Sequence, residues 1–282
     1  MLRRVSAVAA AALLLSGCAP QSPTQSPTPA APDCATDTCV ALTFDDGPGP
    51  YTDRLVDVLT DAGAKATFFM IGNKVAADPE GARRVAEAGM EIGNHTWEHP
   101  NMTTIPAEYV PAQLSRANDA LAAATGQRPV LWRPAGGLTD DAVNSVAATQ
   151  GLAAILWDVI PFDWINDSDT AATRQMLMSQ IKPGSVVLFH DTYSSTVDLV
   201  SQFIPVLKAN GYRLVTVSEL LGPRAAGSVY GGRENGPPVN LLHDINPADI
   251  PALPATPSPT PMPNFPITDI PGANSGGPTN GA

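Results

Sequence analysis

Charge is scarce in this chain: only 15% of its 282 residues are charged, and lysine supplies just four of its sixteen basic residues. The formal net charge is −11 and there is no basic block. Binding to nucleic acid without base readout depends on clustered cations, so no nucleic-acid partner is expected. A permanent membrane span is lacking too. The apolar run Val5–Leu15 holds eleven residues, against about 20 for a spanning helix. Cysteine is limited to three residues and histidine to four. Apolar residues, by contrast, make up 44% of the chain, enough for a large core and incompatible with wholesale disorder. Proline is plentiful and uneven: five of 29 fall in residues 20–32 and thirteen in residues 223–282, leaving eleven between. One folded domain between two solvated flanks follows, rather than two domains.

The amino terminus reads as an address. Met1-Leu2-Arg3-Arg4 is a short positive region, and the apolar run behind it has the length of a signal-peptide core. It ends in Leu15-Ser16-Gly17-Cys18, which resembles the lipobox of bacterial lipoproteins. That resemblance implies cleavage after residue 17 and a lipid on Cys18, so the protein is expected outside the cytoplasm, anchored to the membrane and facing the cell wall. Residues 18–33, rich in Pro, Ser and Thr, then form a stiff tether. Cys34 and Cys39 remain, five apart. In an exported protein thiols are oxidised, and two thiols without a second pair are a weak zinc signal, so a disulfide is favoured over metal ligation.

Through the middle, apolar strands alternate with helical patterns. Seven strands are expected at Cys39–Phe44, Ala66–Ile71, Met90–Gly93, Val130–Trp132, Leu152–Trp157, Ser185–Phe189 and Tyr212–Val215. Helices are expected at Tyr51–Ala62, Ala82–Ala88 (closed by Gly89), Ala107–Ala124, Asp140–Gln150, Thr170–Gln180 and Val197–Asn210. Strands this apolar, interleaved with helices, argue for an α/β fold with a parallel sheet buried on both faces. An open doubly wound sheet and a closed barrel both fit that pattern. The polar residues lean toward the barrel. Asp45-Asp46, His95, Arg133, Asp158 and His190 each follow a strand in succession, and (β/α) barrels gather their catalytic groups at strand carboxyl ends. The expectation is a single-domain, distorted, seven-stranded (β/α) barrel spanning residues 34–222.

His95-Thr96-Trp97-Glu98-His99 spaces two imidazoles four apart, so one helical turn would present both to one ion. Asp46 could supply a third, oxygen ligand. Two imidazoles and a carboxylate suit zinc, with cobalt or nickel tolerated.

Three segments, Thr43-Phe44-Asp45-Asp46-Gly47-Pro48, His95-Thr96-Trp97-Glu98-His99 and Leu188-Phe189-His190-Asp191, occur in this order. Together they resemble the first, second and fifth motifs of the carbohydrate esterase family 4 polysaccharide deacetylases, also described by the chitooligosaccharide deacetylase (NodB) homology domain. The resemblance covers roughly residues 39–220. It implies a distorted barrel in which Asp46, His95 and His99 hold one divalent metal ion, Asp45 is the general base and His190 the general acid. Leu188 would line the acetyl pocket. Arg133-Pro134-Ala135-Gly136-Gly137 matches the third motif, with Arg133 orienting Asp45 and the Gly136 N–H facing the oxyanion. Asp163-Trp164 matches the end of the fourth, with Asp163 pairing with His190 and Trp164 walling the groove. Two departures stand out. Ala135 and Gly136 replace the usual Pro and aromatic, and Ile160 replaces the Asp that usually opens the fourth motif.

The chemistry is coherent apart from the family. Amide hydrolysis needs a polarised carbonyl, a nucleophile at neutral pH and a proton for the departing amine. A divalent ion serves the first two, and a carboxylate and an imidazole move the protons. The expected activity is removal of N-acetyl groups from a cell-envelope glycan, peptidoglycan above all, by a monomeric enzyme. An O-acetyl polysaccharide esterase and a non-catalytic glycan-binding lipoprotein are the alternatives. Asp158 is expected to be structural rather than catalytic, Asp191 to cap the next segment, and His243 to be solvated. Residues 223–282, with thirteen prolines, are expected to form an extended tail.

Overall fold

The computed structural model describes residues 32–164 and 170–231. The signal segment, Cys18, the tether up to residue 31, His243 and the tail beyond residue 231 lie outside the described residues.

Among the described residues, eight strands occur in chain order: β1 (Cys39–Gly47), β2 (Thr67–Met70), β3 (Glu91–Asn94), β4 (Leu131–Trp132), β5 (Ala153–Ile155), β6 (Val186–His190), β7 (Arg213–Val215) and β8 (Val229–Tyr230). Between them run α1 (Thr52–Asp61), α2 (Gly72–Ala77), α3 (Pro79–Glu87), α4 (Val110–Thr125), α5 (Asp141–Thr149), α6 (Thr170–Gln180), α7 (Ser194–Ala209) and α8 (Val217–Leu221). Every strand pairing is parallel. The order is β6-β1-β2-β3-β4-β5-β8, with β7 joined to the start of β1. Beyond β5, Val159 forms a parallel bridge to Val187 in β6, so the far side of the sheet curls back to its beginning. The barrel is distorted as expected: β3 and β4 share a single residue pair, Asn94 with Trp132.

All seven expected strands are present, and β8 is an addition. It lies in the segment expected to be an extended tail, where it takes up the remaining edge of β5 and the Arg224 guanidinium covers the Tyr230 ring at 4.4 Å. An open strand edge is a row of unpaired donors and acceptors, and two residues with strong strand preference suffice to cover a three-residue strand. The described fold therefore continues to residue 231.

Strand periodicity decides which side chains face inward. On β1, Val40, Leu42 and Phe44 pack outward against the helices, with Phe44 tilted against Phe68 at 5.1 Å and stacked on Phe189 at 5.6 Å. Cys39 and Ala41 belong to the inner cluster with Phe69, Ile155 and Leu188. Continuing the alternation turns Thr43 and Asp45 inward, at the carboxyl end of the strand. Each fully buried aromatic contributes on the order of 2–3 kcal/mol by its removal from water, so the outer layer anchors β1 while its inner face is free to carry polar groups.

Helix ends follow local chemistry. Asp78 caps α3 by accepting from Gly81 N, with Pro79 in the first turn, and Asp140 caps α5 by accepting from Val143 N at 2.8 Å. Gly89, at φ +73°, closes α3 as expected. At the base of the barrel, the Cys34 and Cys39 sulfurs lie at bonding distance, joining the start of the described chain to β1.

Candidate active site

Asp46, His95 and His99 converge. Asp46 Oδ1 lies 3.4 Å from His95 Nε2 and 3.5 Å from His99 Nε2, and one ligand atom of each residue falls within 4.8 Å of the others. The donor set fits a divalent cation. Asp46 Oδ1 is buried and has no hydrogen-bond partner among the described residues. His95 Nδ1 is engaged with the Arg133 carbonyl oxygen at 2.7 Å, which leaves Nε2 to face the cluster. Burial and the neighbouring His95 push the His99 imidazole down to about 4, so its ring is neutral at physiological pH. Burial would raise the Asp46 carboxyl, but the close His95 imidazole, with those of His190 and His99, holds it well below the usual range. His95 is opposed by burial and lifted on balance by Asp45 and Asp46.

The histidine spacing works differently from the expected helical turn. Residues 95–99 form an irregular loop after β3, with Thr96 and His99 at φ +65° and +60°. Left-handed backbone at a β-branched residue is costly, and side chains from α4 hold it there. Gln113 Oε1 accepts from both Trp97 N and Glu98 N at 3.0 Å, and its amide donates to Glu98 at 2.9 Å. Asn94 Oδ1 accepts from Thr96 N, while its amide donates to Asn118 Oδ1. Thr96 Oγ1 accepts from His99 N. Gln113 and Asn118 were not singled out in the sequence, although both are polar residues on a helix face otherwise filled by Val110, Leu114, Ala117 and Leu121.

Asp45 and Arg133 form a buried pair beside the cluster. Arg133 Nη1 donates to Asp45 Oδ1 at 2.8 Å and to Thr43 Oγ1 at 2.7 Å. Its Nε and Nη2 donate to the Ile155 and Leu156 carbonyls, both at 2.9 Å. The guanidinium lies over the Phe69 ring at 4.2 Å, with Trp157 on another side at 5.5 Å. Burial pulls the Arg133 pKa down, opposed by Asp45. Phe69 can occupy this place because residue 93 is glycine: a Cβ there would enter the ring. Ile160 is packed among apolar neighbours, so the four bonds to Asp45, Thr43 and two carbonyls hold Arg133 without a carboxylate at position 160. Asp45 Oδ2 is 3.7 Å from His95 Nε2.

On the neighbouring strand, His190 pairs in register with Asp45. Asp163 grips it twice: Oδ2 accepts from His190 N at 2.9 Å, and Oδ1 lies 3.1 Å from His190 Nδ1. Thr196 Oγ1 donates to Asp163 Oδ2 at 2.8 Å. Burial disfavours charge on His190, but Asp163, with smaller contributions from Asp46 and Asp45, lifts its pKa to about 9. Trp164 meets the His190 ring edge-on at 5.0 Å. Leu188 belongs to the inner cluster that also holds Trp157 and Ile160. Gly136 lies in a short turn after β4 at φ +61°.

Asp158 accepts from Val186 N at 2.6 Å and Ser185 Oγ at 3.0 Å, pinning the start of β6. Asp191 does not cap α7, whose N-cap is Tyr193. It is fully buried, and burial lifts its carboxyl to about 7.

The family model for polysaccharide deacetylase matches residues 33–155. A peptidoglycan-N-acetylglucosamine deacetylase of Bacillus cereus is 38% identical over 196 residues, which cover 64% of this chain and 87% of that protein. The chain belongs to the polysaccharide deacetylase family. Peptidoglycan-N-acetylmuramic acid deacetylase PdaC of Bacillus subtilis is 37% identical over 183 residues, covering 64% of this chain; the chain spans only 38% of PdaC's length. Among solved structures, a T48 deacetylase with substrate superposes with a TM-score of 0.67 at 37% identity, covering 71% of this chain and all of that one. The family assignment fits the curled parallel sheet and the strand-end location of the polar cluster.

Proposed function

We propose that this polysaccharide deacetylase is a divalent-metal-dependent hydrolase that removes N-acetyl groups from amino sugars of a cell-envelope glycan, peptidoglycan above all. One observation carries the proposal: Asp45 and His190 stand opposite each other on β1 and β6, each with its own partner, beside the Asp46–His95–His99 cluster.

In this reading Asp46, His95 and His99 hold the cation, and the donor types suit zinc, with cobalt or nickel admissible. When bound, a divalent cation polarises the amide carbonyl and lowers the pKa of a water toward about 7. Asp45, aimed by Arg133, takes the proton of the attacking water. The Gly136 N–H offers a hydrogen bond to the oxygen on which negative charge develops. Leu188 lines the acetyl pocket and Trp164 walls the groove. His190, charged through Asp163, gives its proton to the departing nitrogen. An amide nitrogen leaves only when protonated, and an imidazole lifted to about 9 is charged and able to supply that proton. Peptidoglycan is supported by what the Bacillus relatives are named for and by the lipobox.

The reading extends to residues 1–17 as a signal peptide, Cys18 as the lipid-bearing residue, residues 18–33 as the tether and the chain beyond residue 231 as an extended tail. It also takes Cys34–Cys39 as a disulfide and the enzyme as a monomer at the outer face of the membrane, with a polysaccharide substrate.

The test is acetate release by purified protein given peptidoglycan, chitooligosaccharides or acetylated xylan, with and without chelator. Release from N-acetylated glycan that chelator abolishes is expected. Release from xylan alone would replace the proposal with an esterase, and no release would favour a glycan-binding protein. Cys18→Ser should move the protein from the membrane to the soluble fraction.

A further inference from the structure

Asp191 follows His190, and because β1 and β6 pair Asp45 with His190, it falls beside the turn that carries Asp46. It is fully buried, and neither proton transfer nor the Asp46–His95–His99 cluster uses it. Its carboxylate fills the space where a side chain at position 47 would go. A Cβ on Gly47 would lie 2.9 Å from Asp191 Oδ1 and nearer still to Oδ2, and the three nearest atoms are all from Asp191. Glycine at 47 is therefore required by the carboxylate rather than by a left-handed backbone, since Gly47 is not among the positive-φ residues.

The same carboxylate reaches the far side of the turn. Thr52 Oγ1 donates to Asp191 Oδ2 and accepts from Gly49 N at 2.8 Å. From the opposite face, Lys74 Nζ donates to Asp46 O at 2.7 Å, and Ile71 N donates to Gly47 O at 2.9 Å. Held between these contacts, Asp46 adopts φ +73°, a conformation that non-glycine residues rarely keep without support. At that φ its Oδ1 lies against His95 and His99.

We infer that Asp191 is a positioning residue for the cation site: by packing under Gly47 and holding Thr52 against Gly49 N, it fixes the turn that aims Asp46 at His95 and His99. The inference rests on the reading of those three residues as cation ligands. Partners that orient a ligand typically account for about 10- to 100-fold in metal affinity, which sets the scale of the effect.

Zinc titration calorimetry on the full chain tests it, with melting temperatures recorded in parallel. Asp191→Ala should weaken zinc binding about tenfold or more. Asp191→Asn keeps the bulk under Gly47 and an acceptor for Thr52, and should restore affinity to within about threefold of the starting protein, less than the loss such partners usually produce. Gly47→Ala should weaken binding on its own yet add nothing in the Asp191→Ala background, because the atoms its Cβ meets are then gone. Wild-type affinity in Asp191→Ala, or losses from Gly47→Ala and Asp191→Ala that simply add, would overturn the inference and leave the ligand assignment standing. Should Asp191→Ala fail to fold, Thr52→Val removes the same hydroxyl link, and unchanged zinc affinity there would overturn the inference equally. A wild-type protein that binds no zinc would overturn the ligand assignment together with the inference built on it.

Discussion

Replacing Asp163 with Asn isolates the charge that favours protonated His190. The change keeps an oxygen for the His190 and Thr196 hydrogen bonds and removes the negative charge that is the largest influence raising His190. The two smaller ones, Asp46 and Asp45, are offset when a cation sits beside them. Lifting an imidazole from its ordinary value to about 9 corresponds to about 3 kcal/mol of preference for the charged form. Without Asp163, His190 should titrate at or below about 6.5, since burial alone pushes it down. The charged fraction at pH 8 then falls from about 90% to about 3%, a loss of roughly 30-fold, while at pH 6 the loss is only about 1.3-fold. A kcat/KM profile from pH 5.5 to 10 reads this as an alkaline limb displaced to lower pH. Stability should follow the same sign. His190 is raised in the folded state, so its contribution is fully present below about pH 6.5 and is lost as pH rises through about 9. Asp163→Asn should therefore cost most melting temperature at pH 6 and least at pH 10. An alkaline limb left in place, or a uniform loss at every pH, would refute the assignment of His190 as the acid charged by Asp163.

Three further substitutions probe the remaining groups. His99→Ala, at a partly exposed loop position, should leave the protein folded and abolish stoichiometric zinc binding by elemental analysis; retained metal would remove His99 from the ligand set. Asp45→Asn should keep the metal and lower kcat by about 10²- to 10⁴-fold, the usual scale for a general base, so near-normal turnover would sink that role. Arg133→Met leaves Asp45 buried without a counter-charge and frees the carbonyls of Ile155 and Leu156. Breaking such a pair costs about 3–5 kcal/mol, or roughly 6–20 °C of melting temperature for a domain of this size, and a shift below about 3 °C, under the smallest such loss, would contradict a stabilising Arg133 network.

Much of this was legible in the sequence because the strands are buried on both faces and read as short apolar runs. The polar residues that end β1, β3, β4 and β6 stood out against that background. Alternation along β1 also separates the two adjacent carboxylates: Asp45 continues the inward face of Ala41 and Thr43, and Asp46 begins the turn. Residues whose role depends on distant partners were less visible. The loop at 95–99 looked helical from its spacing, yet its shape comes from Gln113 and Asn118 on α4, which local pattern does not connect to it. Asp191 was read as a possible cap because its true neighbours, Gly47 and Thr52, are more than 130 residues earlier. β8 was hidden by the proline-rich composition around it, since two residues pairing with a single edge carry no periodic signal.

The central claim is that a cation held by Asp46, His95 and His99 serves hydrolysis of an N-acetyl group, with Asp45 and His190 moving the protons. The most direct measurement follows acetate and newly formed primary amine together, on purified peptidoglycan treated with the zinc-loaded protein, before and after chelation. Equal amounts of the two products, lost on chelation and recovered on adding zinc back, are predicted. Acetate without amine, or amine formation indifferent to chelator, would contradict the account.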